Sequence, residues 1–352
     1  MKNNSKMTLV LSIMGCVLMT VMILYFGISL YLKLSDTKPA ASDAVVPQGY
    51  TQEELDNAVQ AALAEQEALT KPEVTADEVL DTLKSEIKSG TTLVQALRKL
   101  YKDEIVLASG GTYHFIPISD SLKHNEYKME NLSITETGEL QYYVDDVLKS
   151  HKGIDVSKHN GNIDWKKVAA DGVEFAFIRV GNRGYGAEGK LLEDTMFDAN
   201  IQGAIQAGIK VGVYFYSQAI TEAEVLEEAE MVLRKVAPYQ ISCPIVFDVE
   251  KVAGADGRMN EISVEERTRF TKLFCDTVAN AGYKPMIYQN MEMGVLMLDL
   301  EQLEGYDKWF AYYNKDFYYP YAYKVWQYSD KGRVNGVTGD VDLNIAFEPL
   351  WD

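Results

Sequence analysis

Cysteine, histidine and positive charge are all scarce in this sequence. Three cysteines in 352 residues are too few for a disulfide-stapled scaffold or a zinc-finger framework. Four histidines, with His151 and His159 at no recognised ligand spacing, leave a metal-dependent esterase or phosphodiesterase only its acids as a hard-cation site. The reading is therefore of a protein without a metal or other cofactor. Lys plus Arg number 34 against 52 Asp plus Glu, for a net charge of −18. That excludes nucleic acid as a partner, since phosphate binding needs clustered cations, and it excludes polybasic attachment to a membrane surface. The rest of the composition is globular, 47% hydrophobic and 24% charged, with chain for roughly two domains.

Every acid lies beyond residue 34, and Met7 to Leu32 is a run of 26 residues with no formal charge. About 20 residues suffice to cross the hydrocarbon core as a helix. Residues 1–34 are read as a cytoplasmic tail and single-pass transmembrane anchor, with the remainder of the chain outside. The run is long for a cleaved signal ending at Ala40-Ala41. It also encloses Cys16, where a lipoprotein site would end on it. Residues 35–74 read as a linker and one short helix, opened by the Thr51–Glu54 capping pattern.

Residues 75–148 predict a small α+β module of unknown role. A capping box at Thr75 and Glu78 opens a helix that Gly90 stops, and a second helix runs from Leu93 to Tyr101. EIVLA and TYHFIPI flank Gly110-Gly111, and Thr137-Gly138 precedes LQYYV, as in hairpins. No catalytic constellation falls here; His114 and His124 are isolated, and a contact with an envelope protein partner or with the wall is the role left open.

From His151 the rhythm changes to strand-like runs alternating with amphipathic helices: 153–157, 175–180, 210–216, 244–250, 284–290, 308–313, 323–329 and 340–344, with helices near 164–170, 194–207, 221–236 and 263–281. Such alternation implies parallel strands joined by crossovers, and eight strands imply a closed barrel. The last three runs are too close together for full helices between them. The fold class is α/β: an irregular (β/α) barrel over 151–352, with helices missing in its second half.

In a parallel barrel the catalytic groups sit at the carboxyl ends of the strands. Asp155, Asp248, Glu250 and Asp342 each interrupt an apolar run, where an unpaired charge is costly. Residues i and i+2 of a strand share a face, so Asp248 and Glu250 can hold different protonation states through burial and mutual repulsion. Glycoside hydrolysis needs such a pair, and the longer reach of Glu250 makes it the general acid. Tyr214, Tyr216, Tyr288, Tyr312, Tyr313, Trp326 and Tyr328 lie at or near strand ends, suited to pack on sugar rings. Alternation prevents Tyr312 and Tyr313 from both facing inward. The loop 181–189, rich in glycine without a phosphate-loop pattern, reads as a wall of the groove. Cys243 and Cys275 are expected as buried thiols.

The blocks GIDVSKHNGNIDW (153–165), AFIRVG (176–181), VGVYFYSQA (211–219), PIVFDVE (244–250), AGYKPMIY (281–288), WQYS (326–329) and VDLN (341–344) together resemble glycoside hydrolase family 25, the lysozyme-type N-acetylmuramidases. The resemblance covers 151–352 and implies hydrolysis of the β-1,4 bond between N-acetylmuramic acid and N-acetylglucosamine in peptidoglycan, without a metal. By motif, it implies that Glu250 is the proton donor and that Asp155, Asp248 and Asp342 are its site partners. Tyr214-Phe215-Tyr216 departs from the His-containing element of many members. Inversion through a carboxylate-activated water and retention through the substrate acetamido group both remain open, with the second preferred. The rival reading is a catalytically idle barrel that binds peptidoglycan as a scaffold in an envelope complex.

Overall fold

The structure, a computed structural model, describes residues 75–252 and 257–351. The expected anchor at 1–34 and the linker and helix at 35–74 lie outside the described residues. Among the described residues, no helix is long and apolar enough to cross a membrane.

The chain opens with α1 (Ala76–Lys88) and α2 (Leu93–Leu100), each with a complete capping box, from Thr75 to Glu78 and from Thr92 to Gln95. Between them Gly90 takes φ +92°, a conformation that an L side chain resists. A hairpin follows, β1 (Glu104–Ser109) and β2 (Thr112–Pro117), then a three-stranded sheet of β3 (Leu132–Ile134), β4 (Leu140–Val144) and β5 (Val147–Leu148). These are the hairpins that the turn residues predict.

Eight strands then close a barrel. They are β6 (His151–Val156), β7 (Phe175–Arg183), β9 (Lys210–Ser217), β10 (Ile245–Val249), β11 (Pro285–Asn290), β12 (Asp307–Ala311), β13 (Val325–Gly332) and β14 (Val341–Ala346), with β8 (Leu191–Glu193) as a short addition paired to β7. The β6–β7 pairing completes the ring. Helices α3 (Trp165–Ala170), α4 (Phe197–Gln206), α5 (Glu222–Val236) and α6 (Val264–Asn280) cover its first half. After β11 there is only a π-helical turn, Met293–Met297, and after β12 no helix. The expected loss of helices is seen, but the strands are not all parallel. A short turn joins β13 directly to β14, so β14 runs antiparallel to both β13 and β6. A parallel strand would need a crossover for which the chain has no residues here.

Alternation along each strand sorts the barrel into an interior and an outer face. The interior carries an aromatic stack: Phe177 on Trp309 at 4.7 Å, with Tyr288 and Tyr214 edge-on to the same indole. Space for it comes from glycines on neighbouring strands. A Cβ on Gly153 would lie 2.2 Å from Phe175, and one on Gly212 2.6 Å from Phe177.

The outer face of the second half exposes aromatics that helices would otherwise cover. Residues 75–150 cover them instead, and Thr75–Asp352 is one compact unit. Ile105, Leu107, Leu140 and Tyr142 join the same apolar cluster as Phe310, Tyr319, Tyr323 and Trp326. Arg98 donates to Tyr312 Oη at 2.9 Å and stacks on Tyr318 at 4.0 Å. Tyr127 Oη donates to the Tyr323 carbonyl at 2.6 Å. Cys243 and Cys275 are buried and unpaired, and burial holds both thiols well above their ordinary range.

Candidate active site

The interior residues at one end of the barrel are polar. Asp155 is the fifth residue of β6, Asp248 the fourth of β10, and Glu250 follows that strand directly. Asp342 stands second in β14. Because β14 is reversed, its start lies beside the carboxyl ends of the other strands, and Asp342 pairs in register with Asp155. All four acids line one cavity of about 580 Å3.

Two carboxyl pairs result. Asp155 and Asp342 hydrogen-bond each other. Burial, then the charge of Asp155, pushes Asp342 up to about 9. Asp155 is also raised by burial, against hydrogen bonds from Asn344 Nδ2 at 2.8 Å and Gln327 Nε2 at 2.9 Å to its Oδ2. In the second pair, burial and then the neighbouring charge of Glu250 lift Asp248 well above the carboxylate range. Burial lifts Glu250 too, opposed by its hydrogen bond with Asp248. Carboxyls this close in a low dielectric share a proton because double ionisation is unfavourable. Asp248 Oδ1 is buried with no hydrogen-bond partner.

Neutral groups orient the first pair. Tyr288 Oη and Tyr313 Oη donate to Gln327 Oε1 at 2.9 and 3.0 Å, leaving the Gln327 amide to donate to Asp155. Trp309 Nε1 donates to Asn344 Oδ1 at 2.8 Å, which fixes the other amide in the same sense. Arg179 lines the cavity while paired to buried Asp194 at 2.8 Å. Among the described residues, no group of His, Cys, Asp and Glu is arranged to hold a metal ion.

Residues 154–337 match the family model for glycosyl hydrolases family 25. The chain belongs to glycosyl hydrolases family 25. Its relatives include an uncharacterized protein, YegX, of Escherichia coli K12, 31% identical over 205 residues that make up 55% of this chain and 68% of YegX. An autolytic lysozyme of Clostridium acetobutylicum is 28% identical over 211 residues, 56% of each chain. The family 25 chain thus spans little more than half of that lysozyme. The spore cortex lytic enzyme SleM of Clostridium perfringens shares the fold with a TM-score of 0.50 at 19% identity, over 58% of this chain and 69% of that one.

Of the expected site residues, the family 25 barrel brings Asp155, Asp248, Glu250, Asp342, Tyr214, Tyr216 and Tyr288 to the cavity. His159 and the loop residues Asn182, Gly184 and Tyr185 line it as well. Tyr312, Trp326 and Tyr328 are corrections: they face the outer layer. Trp326 Nε1 donates to the Tyr312 carbonyl, Tyr312 Oη takes Arg98, and Tyr328 packs among core side chains. Their strand neighbours Tyr313 and Gln327 face the cavity instead. Gln327, Asn344, Trp309 and Arg179 were not singled out from sequence, although Gln327 and Asn344 stand within the WQYS and VDLN blocks. Alternation from Asp342 would have assigned Asn344 inward.

The raised acids make stability pH-dependent. Asp342 keeps its proton in the fold until about pH 9, whereas an unfolded Asp loses it near pH 4. Between these values the folded state binds more protons, so stability falls as pH rises. Asp342→Asn removes that term. Its melting temperature is expected to exceed the parent's by several degrees at pH 8 and by little at pH 4, in calorimetric scans across pH. Equal gains at both ends would contradict the assigned shift.

Proposed function

We propose that this protein is a peptidoglycan hydrolase, an N-acetylmuramidase that cleaves the β-1,4 bond between N-acetylmuramic acid and N-acetylglucosamine. The observation that carries the reading is the Asp248–Glu250 pair, held with Asp155 and Asp342 in one cavity of a family 25 barrel. Relatives named as lysozymes support the substrate class.

Glu250 gives its proton to the glycosidic oxygen as the C1–O bond breaks. Positive charge develops at C1 and the ring oxygen. The surrounding carboxyl pairs, each able to keep one negative charge while it shares one proton, stabilise that positive charge electrostatically. The orphaned Asp248 Oδ1 suits an acetamido N–H, and holding that group turns its carbonyl oxygen toward C1. The oxygen attacks C1 to form a cyclic intermediate. Glu250, now ionised, takes a proton from the water that opens it. Two inversions at C1 give net retention. Tyr214, Tyr216 and Tyr288 offer ring faces and hydroxyls to the sugar.

Glu250→Gln keeps the shape of the side chain but cannot give up a proton. We expect full-length Glu250→Gln to lose about 10³-fold or more in release of reducing ends from purified peptidoglycan, with a melting temperature no lower than the parent's, since it removes a buried acid of raised pKa. The parent's new reducing ends are expected to be N-acetylmuramic acid by mass spectrometry; reducing N-acetylglucosamine would refute the assigned bond. NMR of the first-formed anomer checks the route separately, and an initial α-product would rule out acetamido participation.

The uncharged run Met7–Leu32 supports a membrane-tethered form with the barrel outside the cell. The full chain is then expected to stay with membranes through an alkaline carbonate wash, and deletion of residues 1–34 to release it. Loss of the full chain to the wash would exclude an integral anchor.

A further inference from the structure

A second cavity, of about 700 Å3, adjoins the first, and Tyr313 lines both. Its size falls within the roughly 300–1,000 Å3 of ligand pockets. One wall is the end of β13, with Lys331, and the turn that follows it, with Asn335. The facing wall comes from outside the family 25 match: the Thr137-Gly138-Glu139 turn between β3 and β4. Lys315 Nζ, from the connection between β12 and β13, donates to the Gly138 carbonyl at 3.2 Å. Tyr328, absent from the catalytic cavity, lines this one.

We propose that this cleft is a distal saccharide site, in which the β3–β4 turn and the β13–β14 turn hold the peptidoglycan glycan strand where it passes Tyr313 out of the catalytic cavity. Three observations carry the assignment. First, the two cavities share one half-exposed tyrosine in their linings, and its hydroxyl is already fixed by Gln327 at 3.0 Å. A polymer in the first cavity has this path to follow. Second, the lining mixes hydroxyl groups, one amide, carboxylates and cations with tyrosine, donors, acceptors and a ring face that meet sugar hydroxyls and sugar rings. Third, many local charges are already matched. Lys152 pairs with Glu139 and Asp171 at 2.5 and 2.9 Å, and Arg333 pairs with Asp340 at 2.8 Å. Such a lining suits a chain of hydroxyl and acetamido groups better than a free ion.

The proposal rests on the peptidoglycan-hydrolase reading, so its test separates the two. Lys331→Glu and Thr137→Trp alter exposed positions on opposite walls and leave the catalytic cavity untouched. Turnover and calorimetric binding are measured for full-length parent and variants on a peptidoglycan tetrasaccharide and an octasaccharide. The parent is expected to gain about tenfold in kcat/KM on the longer substrate, because remote contacts lend binding energy to the reaction. The variants are expected to lose most of that gain while keeping the parent's tetrasaccharide rate, which also reports their folding. Turnover with no length gain in the parent, or a gain that both variants keep, overturns the cleft and leaves the hydrolase reading standing. Tighter octasaccharide binding that the variants abolish, without any turnover, supports the cleft and removes the hydrolase. Absence of both binding and turnover overturns both.

Discussion

Four carboxyl groups in one water-poor mouth cannot all ionise, and the barrel's architecture is organised around that constraint. Desolvation is the largest upward influence on each of Asp155, Asp248, Glu250 and Asp342. The chain answers it with proton sharing within pairs and with neutral amides on Asp155, while the one arginine in the lining, Arg179, is itself paired to Asp194. Gln327 and Asn344 both donate to Asp155, and tyrosine hydroxyls and an indole N–H set the direction of each amide. A lysine in either position would neutralise the acid and lower its pKa, and the proton needed for leaving-group protonation would be harder to keep. The arrangement costs stability at neutral pH, as strained or desolvated functional sites commonly do.

Reversal of the last strand is what makes the Asp155–Asp342 pair. In a fully parallel barrel, the second residue of a strand lies at the closed end, far from the chemistry. Here the short β13–β14 connection turns β14 around, and Asp342 arrives opposite Asp155. Glycines make room beneath. Gly153 and Gly212 let Phe175 and Phe177 fill the interior, so the barrel has a packed aromatic floor below the acids. That floor keeps water from entering from below and sustains the burial that raises the acids.

Much of this was legible in the sequence, for identifiable reasons. The α5 and α6 spans follow from amphipathic runs that alternate with the strands, and in the fold Thr221 and Ser263 cap them, each accepting from the backbone three residues on. The four acids stood out because each breaks an apolar run. The direction of β14 did not, because a strand's pattern has the same period read either way. The aromatics failed for a related reason. Trp326 and Tyr328 share a face, and without knowing which face is inner, the larger rings were assigned to the site. The barrel interior at that level is taken by Gln327, whose value lies in its two hydrogen-bonding ends. Proton-sharing partners and amide orientation are three-dimensional facts, and no spacing encodes them.

The missing helices bear on why residues 75–150 belong with the catalytic unit. Strands β12 and β13 present Phe310, Trp326 and Tyr328 outward, and their connection carries Tyr319 and Tyr323 into the same cluster. In a regular (β/α) barrel, amphipathic helices would bury that surface. Here Ile105, Leu107, Leu140 and Tyr142 do so from a segment that precedes the barrel in the chain. Removing that segment would bare large contiguous aromatic area, an aggregation hazard, and would unpair Val106 N–H from Tyr318 Oη and Tyr127 Oη from the Tyr323 carbonyl. The first module is therefore the outer layer of the second half of the barrel. Because its β3–β4 turn reaches the cleft beside Tyr313, the residues that supply the missing outer layer also stand where they can contact a polymer leaving the mouth.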